Sequence, residues 1–186
     1  MSEPVRVAVI LGSTRPGRFC DTVARWTVDQ IAVNGKFQIE LIDPAEQPEA
    51  IEGRATLSLQ DRLGQADAFI VVTPEYNHGY PAPLKELIDS AAAEWHAKPV
   101  AFVSYGGVSG GLRAVEQLRL VFAELHAVTI RDSVSFPGAW EQFDGTGALR
   151  SPERAGRAIS TLLARLNWWA IALRNARATA PYSLSA

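Results

Sequence analysis

Residues 12–18, Gly-Ser-Thr-Arg-Pro-Gly-Arg, bring two hydroxyls and two guanidinium groups into one short loop. The apolar run 5–11 (VRVAVIL) leads straight into it, and an amphipathic helical pattern follows at once. Strand, polar loop and helix start together make a phosphate site. First-turn amides point outward, the helix dipole favours an anion, and Ser13, Thr14 and Arg15 add charge-assisted donors. The spacing is neither G-x-G-x-x-G, which draws a helix close to a pyrophosphate, nor G-x-x-x-x-G-K-[ST], whose lysine reaches a γ-phosphate. Hydroxyls and arginines without that lysine suit a single terminal phosphate. The plain alternative is a polar turn with solvated arginines.

Two further loops carry unusual chemistry. Residues 74–81, Pro-Glu-Tyr-Asn-His-Gly-Tyr-Pro, fix an irregular backbone through proline and glycine and offer aromatic faces and an amide at Tyr76, Asn77 and Tyr80. Such a loop can carry a flat heteroaromatic ring; otherwise it is an aromatic turn capping the next helix. Residues 104–111, Ser-Tyr-Gly-Gly-Val-Ser-Gly-Gly, place four glycines in six positions, which lets backbone approach a ligand and leaves amides free. Here the plain alternative is a flexible loop that needs positive φ.

The elements that must position these loops alternate strand and helix. Apolar runs at 5–11, 37–42, 68–73, 99–105 and 128–134 read as strands, with 68–73 (AFIVVT) and 99–105 (PVAFVSY) unbroken enough for burial on both faces. Helices are expected at about 21–33, ended by Asn34-Gly35, at 54–64, at 81–95 with Pro83 in its first turn, and at 109–125. A last helix spans 151–173, with Ser151 as cap and Pro152 first. Stretches 43–53 and 136–150 read as loops and 174–186 as a loose tail. Five strands alternating with five helices predict one α/β doubly wound domain over 1–186. In such a sheet ligands sit beyond the strand C-termini. All three loops leave strand C-termini.

Composition narrows the partners. Eighteen Lys and Arg against twenty Asp and Glu give a net charge of −2, with no electrostatic case for nucleic acid or an anionic membrane. No apolar run approaches a membrane span, and the N-terminal residues lack the basic-then-apolar order of a signal peptide, so a cytoplasmic protein is expected. A single cysteine, Cys20, excludes an internal disulfide and is expected to be a core or cap residue. His78, His96 and His126 lack metal-ligand spacing, and no Gly-x-Ser-x-Gly elbow is present. Asp43 reads as a turn residue before Pro44, and Trp168-Trp169 cannot both face one core.

Three segments together, LGSTRPGR at 11–18, TPEYNHGYPAPLKELID at 73–89 and VSYGGVSGGLRAVEQLR at 103–119, resemble the NADPH-dependent FMN reductases, the flavodoxin-like group that includes quinone and chromate reductases and azoreductases. The resemblance implies a flavodoxin-like three-layer α/β/α fold with a five-stranded parallel sheet in the order 2-1-3-4-5 and FMN at the switch point. It implies that Ser13, Arg15, Arg18 and Phe19 hold the FMN phosphate. Pro74, Glu75, Tyr76 and Asn77 would line the isoalloxazine, and Ser104, Tyr105, Gly106 and Gly107 would border its other edge. Where the family loop often ends in Ser-x-Asn, this chain has Arg18 and Cys20. Arg18 would then bring charge to the phosphate, point to solvent, or meet an NADPH 2′-phosphate, as would Arg113.

The implied activity is an FMN-dependent NAD(P)H oxidoreductase serving a quinone, free flavin or similar small acceptor, with NADPH or NADH as donor. The chemistry then lies on FMN, no side chain is a firm catalytic residue, and Tyr76 and His78 contact substrate. Amides of 104–107 would stabilise negative charge on the reduced ring. The resemblance also implies a homodimer or tetramer joined through the third and fourth helices, which Ala91-Ala92-Ala93 and Trp95 would suit as a packing surface. Two other readings stand beside it: a flavodoxin-like electron carrier without nicotinamide oxidation, and a nucleotide-binding regulator without flavin.

Overall fold

A computed structural model of the chain describes residues 3–46 and 57–182. Five strands form one parallel sheet: β1 (Val5–Leu11), β2 (Phe37–Ile42), β3 (Ala68–Pro74), β4 (Pro99–Gly106) and β5 (Val128–Pro137). Their order is β2-β1-β3-β4-β5, with the reversal of strand order beside β1 and β3. The helices are α1 (Cys20–Asn34), α2 (Leu59–Gln65), α3 (Ala82–Asp89), α4 (Leu112–Glu124), α5 (Ala139–Gln142) and α6 (Pro152–Thr179).

Period-two alternation divides the core. Val7, Val9 and Leu11 of β1, with Ile70 and Val72 of β3 and Val103 of β4, face α1 and α6. Ala8, Ile10, Phe69, Val71 and Phe102 face α2, α3 and α4. Helices on both faces leave β3 and β4 no solvent side, which is why their sequences are unbroken apolar runs. Gly35, at φ 71°, ends α1 by donating its N–H to the Ile31 carbonyl.

Several boundaries differ from the expectation, each for a physical reason. Helix α2 begins at Leu59, where Ser58 and Asp61 form a reciprocal capping box; residues 54–56 of the expected helix, and 47–53 of the expected loop, lie outside the described residues. Helix α3 stops at Asp89, and Ala93–Trp95 forms a separate 3₁₀ turn. Trp95 is fully buried between Phe69 and Phe122, with its indole N–H donated to the Ile88 carbonyl at 3.1 Å. Of the small-then-large packing surface expected at 91–95, Ala91 and Trp95 are therefore interior, while Ala92 and Ala93 stay exposed. Strand β5 runs three residues beyond 134, because Ser135, Phe136 and Pro137 stay in register with Ser104, Tyr105 and Gly106.

The stretch expected as loop at 136–150 contains α5. Ser151 precedes α6 but its side chain makes no capping bond. Helix α6 continues to Thr179 instead of ending near 173, since Arg174 reaches Asp67 at 3.1 Å and Arg177 donates to the Ala97 carbonyl. Trp168 and Trp169 both remain partly exposed on α6, stacked edge to face.

Candidate functional site

The three loops converge at the C-terminal ends of β1, β3 and β4, and side chains tie them together. Ser13 is fully buried, and its hydroxyl lies 2.8 Å from the Tyr76 hydroxyl, joining the first loop to the second. Arg15 lays its guanidinium 3.6 Å from the Tyr76 ring centroid, a cation–π stack on the solvent side of the same pair. Arg15 forms no ion pair among the described residues, so it is a free cation at the loop.

Helix α1 opens with no side-chain cap at Phe19. Its first-turn amides therefore keep their donors, as the geometry of any helix start requires. An uncapped start of a 15-residue helix, beside a free guanidinium and buried Ser13, is a site complementary to a phosphate. Gly12 is needed at the approach: a Cβ there would lie 2.9 Å from the Val72 carbonyl oxygen, to which the Gly12 N–H is bonded.

The second loop turns on Asn77 and His78, both left-handed at φ 51° and 72°, with Tyr76 and Gly79 exchanging two backbone hydrogen bonds. Two successive positive φ values make a type I′ turn, which asparagine tolerates and histidine seldom adopts. External bonds hold it. The His78 carbonyl accepts from Gln117 at 2.8 Å, and His78 Nε2 lies 2.7 Å from Arg113 Nη1. A guanidinium only donates, so this nitrogen is the acceptor and the ring's proton sits on Nδ1.

Glu75, which the resemblance placed along the ring, has its carboxylate engaged by other residues of the protein. The carboxylate is 4% exposed and turned toward the third loop. It accepts from Ser109 Oγ at 2.6 Å, from the Arg113 amide at 3.2 Å and from Arg113 Nε at 2.5 Å. Burial pushes this carboxyl up, but the Ser109 and Arg113 bonds outweigh it and hold the group below its ordinary range.

The third loop is braced internally. Ser104 is buried and donates to the Gly110 carbonyl at 2.8 Å, so its hydroxyl supports the glycine turn. Tyr105 likewise points its ring into the core, against Phe19, and burial drives its hydroxyl pKa up. Only its carbonyl serves the site edge, accepting the Glu75 N–H. Phe19 packs between Tyr105 and Phe143, which leaves its backbone alone at the first loop. Pro74 is buried, opposite Tyr105 in register.

Gly111, at φ 85°, has no room for a side chain: a Cβ would stand 2.8 Å from Ser104 Cβ. Gly107 is open, with nothing within 4 Å of such an atom, and its carbonyl accepts from Gly110 and Gly138. The edge at Gly107 is thus low and bare, as approach by a flat ring demands, while Gly106 is buried, and a Cβ there would lie 3.3 Å from the Gly111 amide nitrogen.

Arg18 departs furthest from expectation. It neither reaches toward solvent nor presents a free charge at the loop. Its guanidinium clasps both carboxylate oxygens of buried Asp43, donates to Asp21 at 2.7 Å and to the Ser13 carbonyl. Asp43 also accepts from the Ala45 amide at 2.8 Å, so it is the turn residue expected and an ion-pair partner as well. Burial raises the Asp43 carboxyl, the Arg18 and Ala45 bonds lower it more, and its net position is below the usual range; Asp43, first, drives Arg18 upward.

Asp21, Asp43 and Ser109 therefore join the site's supporting frame without having been singled out for it. The one sequence signal for Asp43 was a charged residue at the C-terminus of β2, the strand next to β1. Cys20 is buried under the first loop, its thiol donating to Val72 O at 3.6 Å, and burial pushes its pKa up, as suits an inert core thiol. No group of three or more His, Cys, Asp or Glu is placed to hold a metal among the described residues.

The NADPH-dependent FMN reductase family matches residues 5–141. Among curated relatives, an NAD(P)H-dependent FMN reductase of Schizosaccharomyces pombe is 34% identical over 120 residues, covering 57% of this chain and 60% of that protein. The match thus spans about three fifths of that relative. An NAD(P)H:quinone oxidoreductase of Solanum tuberosum is 31% identical over 182 residues, 88% of this chain and 92% of that one. Among solved structures, the flavoenzyme NAD(P)H:(acceptor) oxidoreductase FerB of Paracoccus denitrificans superposes with a TM-score of 0.66 at 24% identity, covering 89% of this chain and 97% of FerB. That likeness carries the fold.

Proposed function

The chain belongs to the NADPH-dependent FMN reductase family, and from that premise we propose that it is an FMN-dependent NAD(P)H oxidoreductase with a small-molecule acceptor. When bound, FMN supplies the hydride chemistry between a reduced nicotinamide and that acceptor. The observation that carries the reading is the uncapped start of α1, flanked by buried Ser13 and by Arg15, which has no ion-pair partner among the described residues, on the same sheet edge as the bare Gly107 rim.

Each part of the chain has a distinct task in this reading. The α1 amides and Arg15 take the phosphate charge. Tyr76 bridges the phosphate loop and the ring loop through its hydroxyl, and Asn77 and His78 form the exposed tip beside it. Amides at Gly107 and Val108 are donors for negative charge at the ring edge. The pair of buried Glu75 with half-exposed Arg113 keeps the second and third loops at a fixed separation. His78, held by Arg113 with its Nδ1 proton free for an incoming substrate, is the contact proposed for the acceptor.

A quinone or free flavin is the acceptor class in keeping with the relatives' names. A homodimer is proposed through α4, whose Leu112 and Leu120 are solvent-exposed, as is Val108 just before it. A cytoplasmic setting is proposed as well; no described helix is long and apolar enough to cross a membrane. Titration of FMN fluorescence tests the cofactor assignment. Arg15→Ala is expected to weaken FMN by about 1–3 kcal/mol. Equal affinity in the variant and the native protein contradicts the phosphate assignment.

A further inference from the structure

The first loop carries two arginines, yet their surroundings differ in kind. Arg15 is exposed and stacks on Tyr76, with no carboxylate partner among the described residues. Arg18 has a side chain only 10% exposed, and it meets two carboxylates. Asp43, 5% exposed, takes it in a two-pronged pair; Asp21, 51% exposed, takes its Nε. One positive and two negative charges leave this cluster with no positive charge to offer an anion.

The cluster's geometry is that of a brace. Asp43 ends the β2 side of the sheet, Asp21 lies in the first turn of α1, and Ser13 opens the loop between β1 and α1. One guanidinium binds all three, and it fixes the Ser13 carbonyl while Ser13 Oγ faces Tyr76 and the Arg15 amide. Its planar fork suits this task, because several donors are held at set angles by one rigid group.

We propose that Arg18 and Asp43 form a clamp that shapes the phosphate loop, so that Arg18 is a positioning residue and Arg15 alone supplies side-chain charge to the phosphate. The clamp rests on the reading of this site as an FMN phosphate site. It has a consequence opposite in sign to simple electrostatics. Asp43→Asn removes a negative charge close to a bound dianion, which by relief of Coulomb repulsion alone tightens binding. In the clamp, the same change frees Arg18 from its two-pronged partner, loosens the Ser13 carbonyl and weakens binding.

The test is the dissociation constant of FMN, read by fluorescence titration at low ionic strength, for the native protein and three variants. Asp43→Asn is expected to weaken FMN about tenfold, the loss of one charge-assisted contact. Asp21→Asn removes an equal charge but leaves the two-pronged pair, so affinity stays the same or tightens. Arg18→Lys keeps the charge but cannot hold Asp43 and Ser13 together, and weakens FMN by a similar factor.

Circular dichroism and a thermal melt confirm that each variant is folded, and Arg18→Lys provides the measurement if Asp43→Asn does not fold. Tighter FMN binding by Asp43→Asn, or native affinity in Arg18→Lys, overturns the clamp and returns Arg18 to the role of a charge ligand. A native protein that does not quench FMN overturns the FMN reading, and the clamp's role with it.

Discussion

Replacing Glu75 by Gln should loosen the frame of the site by an amount that depends on pH. The native carboxylate is buried and receives Ser109 Oγ at 2.6 Å and Arg113 Nε at 2.5 Å, with the Arg113 amide at 3.2 Å. A glutamine keeps the shape, but its NH₂ must face one of these donors, and the charge that strengthens the bonds is gone. Hydrogen bonds to charged groups contribute about 1.5–3 kcal/mol each. Arg113 is about half exposed and regains water, which removes much of its share. A net loss of about 2 kcal/mol results. For a chain of this size that is a fall of about 4–8 °C in melting temperature.

The sign with pH follows from the lowered carboxyl. Its folded-state pKa lies below the ordinary 4.5, so the folded state binds the proton less tightly than the unfolded. Its contribution is complete above the unfolded value and is lost as pH falls through the folded one. Thermal melts of the native and Glu75→Gln proteins across acid to neutral pH should therefore differ by the full amount at neutrality and converge in acid. A difference that is constant with pH, or absent at neutral pH, refutes the reasoning. An independent check is FMN affinity, which should weaken as the second and third loops part.

Three further outcomes are expected. Gly111→Ala, at φ 85° and with a Cβ 2.8 Å from Ser104 Cβ, should lower stability by more than about 1 kcal/mol in a denaturant titration; an unchanged midpoint contradicts the packing described. Lys98 is buried, with its ammonium bonded to the Leu63 and Gly64 carbonyls, and desolvation first, then Arg177, brings its pKa down to about 8 from 10.5. The folded state holds that proton less tightly, so native stability relative to Lys98→Met should climb between pH 8 and 10.5; a flat or falling difference opposes it. Leu120→Glu, at a position 76% exposed on α4, should shift the proposed dimer toward monomer in sedimentation equilibrium; a native protein that is already monomeric at micromolar concentration removes the dimer proposal.

The parts of the fold that were legible in the sequence are those decided by local pattern. AFIVVT and PVAFVSY could only be strands covered twice, and Gly35 could only end a helix. What the pattern did not disclose was decided by distant partners. Trp95 reads as a surface residue on a long third helix until Phe69 and Phe122 close around it. Helix α6 extends past 173 because Arg174 finds Asp67, 107 residues away in sequence.

The candidate site divides in the same way. Ser13, Arg15 and Tyr76 come together because the ends of the adjacent strands β1 and β3 must. The roles of Arg18 and Glu75 depend on Asp43, 25 residues on, and on Ser109 and Arg113, 34 and 38 residues on. Loop residues near an anion site invite the reading that every cation binds the anion. Only the placement of the carboxylates tells a ligand from a brace.

The measurement that bears most directly on the central claim is the visible spectrum of the protein with equimolar FMN, taken without oxygen before and after one equivalent of NADPH or NADH. The account predicts perturbed bound-flavin bands that bleach with at least one of the two nicotinamides and return on addition of a quinone. Bands that persist with both contradict it in favour of an electron carrier, and a spectrum of free FMN contradicts the cofactor site itself.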